Sequence, residues 1–214
     1  AMGYLGAPIW ERWGGAGMDY ISFAILCEEL ERGDTAFRVV QSVHVGLNSL
    51  TLLQWGTEEQ RQKYLPGIAS GEVYFCIGMS EPNSGSDVAG TRTRAVKVDG
   101  GYRINGSKLW TSNAHRSDFA ILFCKMAVTE EEAKDRHAGA TQFLLDLKSP
   151  GVEIRPVINL LGEHHFNEVF MTDVFIPDHL LLGKEGNGWN QLTSELAFER
   201  SAPDRFLVLF QMLQ

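Results

Sequence analysis

The sequence predicts a multidomain α+β fold: an N-terminal helical domain over residues 1–73, a middle antiparallel β domain over 74–184, and the start of a C-terminal helical bundle over 185–214. Three observations predict it. The first segment carries apolar residues at helical spacing. The second breaks into short Val-, Ile-, Phe- and Thr-rich runs divided by glycine turns. The third returns to helical periodicity, so an all-β middle lies between helices.

In the first segment, "DYISFAILCEELE" places Phe23, Leu26, Cys27 and Leu30 on one helical face behind Asp19, a capping residue. A second apolar helix is expected within "RVVQSVHVGLNSLTLLQWG", and Thr57–Gln60, "TEEQ", has the spacing of a capping box that opens a third. Pro66 and Gly67 are expected to punctuate that helix.

In the second, "RAVKVDGGYRINGSKLW" alternates apolar and polar residues around Asp99-Gly100-Gly101 and again around Asn105-Gly106, both residue types that tight hairpin turns demand. "DFAILFCK", "TQFLLDL" and "NEVFMTDVFIP" read as further strands. After Pro177 the loop "DHLLLGKEGNGW" leads into a helix that carries Leu192, Leu196 and Glu199 at i, i+4 and i+7.

The 19 basic and 27 acidic residues give a net charge of −8, which argues against nucleic acid as a partner. Apolar segments stop short of the ~20 residues of a membrane helix, and no basic flank precedes an apolar signal core. These features place the chain in a cytoplasm-like compartment, away from membranes. Cys27, Cys76 and Cys124 are odd in number and embedded in apolar sequence, which suits packing rather than disulfide or metal chemistry.

Three stretches carry candidate chemistry. "SEPNSGSDVAG", residues 80–90, follows an apolar strand and sets Gly85 between two serines. Two readings stand: a backbone nest that holds a ligand, or a polar surface turn. "GSKLWTSNA", residues 106–114, puts Trp110 before Thr111, Ser112 and Asn113, a flat ring beside short hydrogen-bonding groups that suits a planar heterocycle, or else a core Trp before a turn. Glu199 falls on the apolar stripe of its helix, where desolvation raises a carboxyl's proton affinity and suits it to removing a carbon-bound proton. Arg200 or Arg205 as a neutralising partner is the competing reading. His164 and His165, adjacent on a strand, point to opposite faces and do not make a metal site. Neither GxGxxG nor GxxxxGK[ST] occurs.

Taken in order, "PIWERWGGAG", "YFCIGMSEPNSGSDVAGTRTRA", "YRINGSKLWTSNA", "TDVFIP" and "GNGW" resemble the acyl-CoA dehydrogenase family along nearly the whole chain. The resemblance implies FAD as cofactor, with Met79 and Ser80 at the flavin ring, Gly85 and Ser86 lining the flavin and pantetheine side, Trp110 over one ring face, and Thr111 and Ser112 beside it. Thr111 stands where relatives usually carry an aliphatic residue. The implied reaction is α,β-desaturation of an acyl-CoA thioester, in which Glu199 takes the α-proton, the β-hydrogen leaves as hydride to flavin N5, and Arg200 orients the base or touches substrate. Ser86 is the implied substrate contact. Pro203 is expected to bend the helix just past Glu199.

The resemblance also implies an electron-transfer flavoprotein as acceptor, a homotetramer or homodimer, and a mitochondrial matrix location in a eukaryote. The family's early helices and most of its last bundle are expected to lie outside these 214 residues. Two rivals are a same-fold flavin oxidase or monooxygenase and a catalytically silent binding or scaffold protein.

Overall fold

The structure, a computed structural model, describes residues 3–201. Pro203 and Arg205 lie outside the described residues. Chain contacts form two compact units, one of residues up to Val73 together with the chain from Leu192, the other of Tyr74–Gln191.

In the first unit, α1 runs Tyr20–Gly33. Asp19 caps it by accepting a hydrogen bond from the Ser22 N–H at 2.8 Å, which satisfies one of the donors a helix start leaves open. Phe23 and Cys27 face inward and pack with Ala7 and Val45. Asp34 then caps α2, Thr35–Val43, through the Ala36 N–H. Helical backbone continues through a π-helical segment at His44–Ser49 into α3, Leu50–Trp55, so the second expected helix is one run with a wider turn in its middle.

Both bonds of the expected capping box are made, Gln60 N–H to Thr57 Oγ1 at 3.2 Å and Thr57 N–H to Gln60 Oε1 at 3.0 Å. They open α4, Glu58–Ser70. Pro66 and Gly67 do not end this helix: both lie inside it, and Gly71, left-handed at φ 78°, closes it. Proline forfeits one N–H there, a loss the surrounding turns absorb.

The second unit is built on one sheet of eight strands among the described residues: β1 Phe75–Gly78, β2 Arg94–Val98, β3 Gly101–Lys108, β4 Phe119–Met126, β5 Ala140–Asp146, β6 Val152–Ile158, β7 His164–Pro177 and β8 Leu181–Leu182. The order is β6-β7-β3-β2-β4-β5-β8, with β1 also paired to β4. Most pairs are antiparallel as expected, but β1 and β2 both run parallel to β4. β1 pairs with Phe119–Leu122 and β2 with Lys125–Met126, so the two strands lie end to end along one edge of β4. Residues 79–93 are the excursion between them.

Asp99-Gly100 forms the predicted two-residue turn between β2 and β3, with Gly100 at φ 72°. Asn105-Gly106 does not turn the chain. It lies inside β3, where the pairing with β7 slips by a residue between Ile104 and Gly106. The extra residue belongs to β7, where Thr172 and Asp173 together stand against Asn105, whose Oδ1 accepts the Asp173 N–H at 2.9 Å. A Cβ on Gly106 would lie 2.5 Å from Thr93 Oγ1.

Phe143, Leu144, Ile121, Leu122, Ile104 and Val174 are buried in this unit. Cys76 and Cys124 are buried too, and burial pushes each thiol up to about 12. None of the three cysteines is in a disulfide among the described residues. Among the described residues no helix is long and apolar enough to cross a membrane.

α5, Gly188–Ser201, begins against β5 and β8: Gln191 Nε2 donates to Gln142 Oε1 at 2.8 Å and to the Leu182 carbonyl at 3.1 Å. On it Leu192 is buried, Leu196 and Glu199 are half-buried, and Arg200 is exposed.

Candidate functional site

The site starts where β1 ends. Because β1 and β2 are two halves of one edge, the backbone of residues 79–93 lacks a continuous strand partner and its polar groups need another. Glu81 supplies it. Its Oε2 accepts the Arg92 N–H at 2.7 Å, and its Oε1 accepts the Thr93 N–H at 3.0 Å and the Thr93 hydroxyl at 2.7 Å. Glu81 and Ser84 exchange backbone hydrogen bonds across Pro82-Asn83, and the Ser84 hydroxyl donates to the Asp87 carbonyl. Arg136 grips the Asp87 carboxylate at 2.8 and 2.7 Å.

Lys108, the last residue of β3, locks this excursion to the second motif. Its side chain is only 1% exposed, and its Nζ lies 2.8 Å from Glu81 Oε1 and 3.0 Å from the Met79 carbonyl. Burial pushes the Glu81 carboxyl up, yet the Lys108 ammonium and the hydrogen bonds from Arg92 and Thr93 outweigh it and hold the group below the usual carboxylate range. One residue further on, the Leu109 N–H donates to the Ser80 carbonyl at 2.8 Å. Thus Met79-Ser80 and Leu109-Trp110, some thirty positions apart in sequence, leave the sheet side by side.

Trp110 adopts φ 60°, a left-handed backbone that a bulky side chain rarely takes and that costs roughly 1–2 kcal/mol. Bonds on both sides hold it there: Leu109 N–H to Ser80, and Thr111 N–H to the Asn167 carbonyl at 3.0 Å. The result is an indole 57% exposed, supported at its edge by Phe166 with ring centroids 5.8 Å apart. Large apolar rings are seldom left open in this way at a cost in backbone strain, and such residues cluster at ligand sites.

The excursion and the Trp110 segment thereby bring Met79 and Ser80 beside Leu109 and Trp110 where β1 and β3 end, with Ser112 two residues further on. Ser112, Gly85 and Ser86 are exposed, and nothing lies within 4 Å of a Cβ built on Gly85, which leaves backbone open to a ligand. Thr111 behaves differently. Its side chain is buried and its hydroxyl has no hydrogen-bond partner, so it packs as a small apolar residue would. An open flat ring bordered by hydroxyls and free backbone fits a planar, polar-edged heterocycle such as a flavin. Glu199 and Arg200 belong to the other unit.

Sequence reasoning missed Glu81, Lys108, Thr93 and Asn167, which build the site without facing a ligand. The one available signal was alternation: Lys108 falls in register with Tyr102 and Ile104 on the inward face of its strand, where an ammonium needs a buried partner.

Two family models match in order, "Acyl-CoA dehydrogenase, N-terminal domain" over residues 1–72 and "Acyl-CoA dehydrogenase, middle domain" over residues 76–174. The chain belongs to the acyl-CoA dehydrogenase family.

Acyl-CoA dehydrogenase FadE29 of Mycobacterium tuberculosis is 37% identical over 198 residues, 92% of this chain and 49% of that protein. An acyl-CoA dehydrogenase from Bacillus anthracis, solved in complex with FAD, superimposes with TM-score 0.81 at 30% identity, over 93% of this chain and 33% of that one. The prolyl acyl carrier protein oxidase AnaB superimposes with TM-score 0.87 at 26% identity, over 98% of this chain and 57% of that one. The chain spans about half the length of FadE29. The helical first unit and β second unit are those of the family's N-terminal and middle domains.

Proposed function

We propose that the protein carrying this chain dehydrogenates an acyl-CoA thioester across its α,β-bond, with FAD as cofactor. The observation that carries this reading is the Ser80–Leu109 hydrogen bond, which sets the two signature segments side by side and presents an open indole on a strained backbone. When bound, FAD supplies the acceptor for the hydrogen that leaves the β-carbon as hydride.

In this reading the Trp110 indole covers one ring face, and Met79, Ser80 and the Ser112 hydroxyl bond the ring edge. Gly85 and Ser86 line the flavin and the pantetheine side, with Ser86 touching substrate. Thr111 acts through its packing and its backbone. Glu199, half-buried on α5, takes the α-proton, and Arg200 orients that carboxylate or touches substrate. The domain boundaries proposed are 1–73, 74–184 and 185–214. The acceptor is an electron-transfer flavoprotein, the assembly a homodimer or homotetramer, and the compartment the cytoplasm, or the mitochondrial matrix in a eukaryote.

The test is Glu199→Gln in the full-length protein. Flavin binding is expected to survive while exchange of the substrate α-proton with D2O collapses; unchanged exchange moves the base elsewhere. The likeness to an acyl carrier protein oxidase favours a second reading, reoxidation by oxygen. Fast bleaching of the flavin by substrate with slow recovery in air supports the dehydrogenase, and fast recovery in air supports the oxidase.

A further inference from the structure

The segment that presents Trp110 is held from β7 by a side chain with no part in the proposed chemistry. Asn167 is fully buried on β7. Its backbone carbonyl accepts the Thr111 N–H at 3.0 Å, and its Nδ2 donates to the Thr111 carbonyl at 2.9 Å. The same Nδ2 lies 3.1 Å from His115 Nδ1, and Oδ1 lies 2.7 Å from His164 Nε2. Asn113, the second left-handed residue of the segment at φ 57°, donates its N–H to the His165 carbonyl at 2.8 Å.

The chemistry of these contacts assigns the protons. The Thr111 carbonyl only accepts, so the amide of Asn167 must turn its nitrogen toward it, and the reversed amide would set oxygen against oxygen. Nδ2 is then a donor toward His115, whose Nδ1 must be the bare, accepting nitrogen. Oδ1 is an acceptor, so His164 Nε2 carries a proton. Meanwhile the His115 and His164 rings stack with centroids 3.8 Å apart and planes 20° from parallel.

A proton added to His115 Nδ1 would point N–H at N–H and bring positive charge against the neighbouring ring. Partial desolvation, then the positive fields of His164 and Arg116, already hold His115 below its ordinary value of 6.5. The charged and titratable groups around it are His164 and His165 on β7 and Arg116 on its own turn. His165 lies 3.3 Å from Glu163, and on β6 the Glu153 and Arg155 side chains pair with each other at 2.8 Å.

We infer that Asn167 is a positioning residue that keeps the Trp110–Asn113 segment docked on β7 through His115 and His164, and that a proton on His115 Nδ1 undocks it. Its consequence for cofactor binding rests on the reading that Trp110 covers the flavin. The sign follows from linkage. A histidine whose docked form resists protonation leaves docking at full strength above about 6.5 and weakens it by up to about tenfold per pH unit below.

The experiment follows hydrogen exchange at the Thr111 and Asn113 amides, and FAD affinity, on the full-length protein from about pH 7.5 to about pH 5. Protection of both amides is expected to fall by up to about tenfold per pH unit below about 6.5, with FAD affinity falling in step. His115→Gln, at an exposed side chain, accepts the same Asn167 bond without titrating and is expected to flatten both profiles. Asn167→Ala lowers protection at every pH, and His115→Gln keeps the test decisive if that variant fails to fold. Protection that stays level with pH in the wild type, or falls identically in His115→Gln, overturns the inference. Amides that respond while FAD affinity stays constant leave the docking device standing and overturn the assignment of Trp110 to the flavin.

Discussion

Replacing Lys108 by methionine tests the clamp on which the site depends. The apolar stem of the lysine is kept and only the ammonium is lost. Glu81 is then a buried carboxylate whose remaining partners are the Arg92 and Thr93 N–H groups and the Thr93 hydroxyl. An exposed ion pair is worth ~0–1 kcal/mol, whereas orphaning one member of a buried pair costs about 3–5 kcal/mol. With Lys108 and Glu81 at 1% and 6% side-chain exposure, the second figure applies. For a chain of this size the loss corresponds to a fall in Tm of about 6–20 °C, read by calorimetry or urea unfolding.

Two controls sharpen the test. Adding Glu81→Gln removes the stranded charge, so the double variant is expected to be more stable than the sum of the two single losses allows. Acid gives the second control. Lys108 holds Glu81 below its ordinary value of 4.5, so the carboxylate's contribution to stability is present above that pH and is lost as pH falls below it. In Lys108→Met, burial acts unopposed by the lysine, acid relieves the strain, and the gap to the wild type narrows. A loss under about 1 kcal/mol, or strictly additive single variants, refutes the argument that the pair works as a buried clamp.

Two further outcomes follow from the same sheet. Gly106→Ala forces a Cβ to within 2.5 Å of Thr93 Oγ1 and 2.7 Å of its Cα at a backbone φ of 151°, and unfolding should show a loss of about 1–3 kcal/mol. Cys76 and Cys124, with thiols pushed up to about 12 by burial, are expected to resist iodoacetamide near pH 8 in the folded protein and to label fully in denaturant, as followed by mass spectrometry.

How much could be read in advance depended on the reach of each interaction. Asp19, the Thr57–Gln60 box and the Asp99-Gly100 turn act over two to four residues, so their residue types alone declare them. The candidate ligand residues were legible for a related reason: Trp110 and the serine-rich turn are chemically conspicuous in a short window. Pro66 misled because a missing N–H is a cost rather than a prohibition, and packing of Tyr64, Leu65 and Ile68 into the core carries α4 past it.

What the amino-acid order determined by itself is the alternation of elements, their caps and hairpins, and the two motif segments, because each follows from the chemistry of near neighbours. Only the tertiary structure decided that Asn105-Gly106 would stay inside β3 opposite a bulge of β7, that β1 and β2 would share one edge of β4, and that Lys108 would meet Glu81 and Asn167 would meet His115 and Thr111. Those outcomes join residues from 27 to 70 positions apart. Their geometry is set by strand register, in which a shift of one residue turns every side chain to the opposite face.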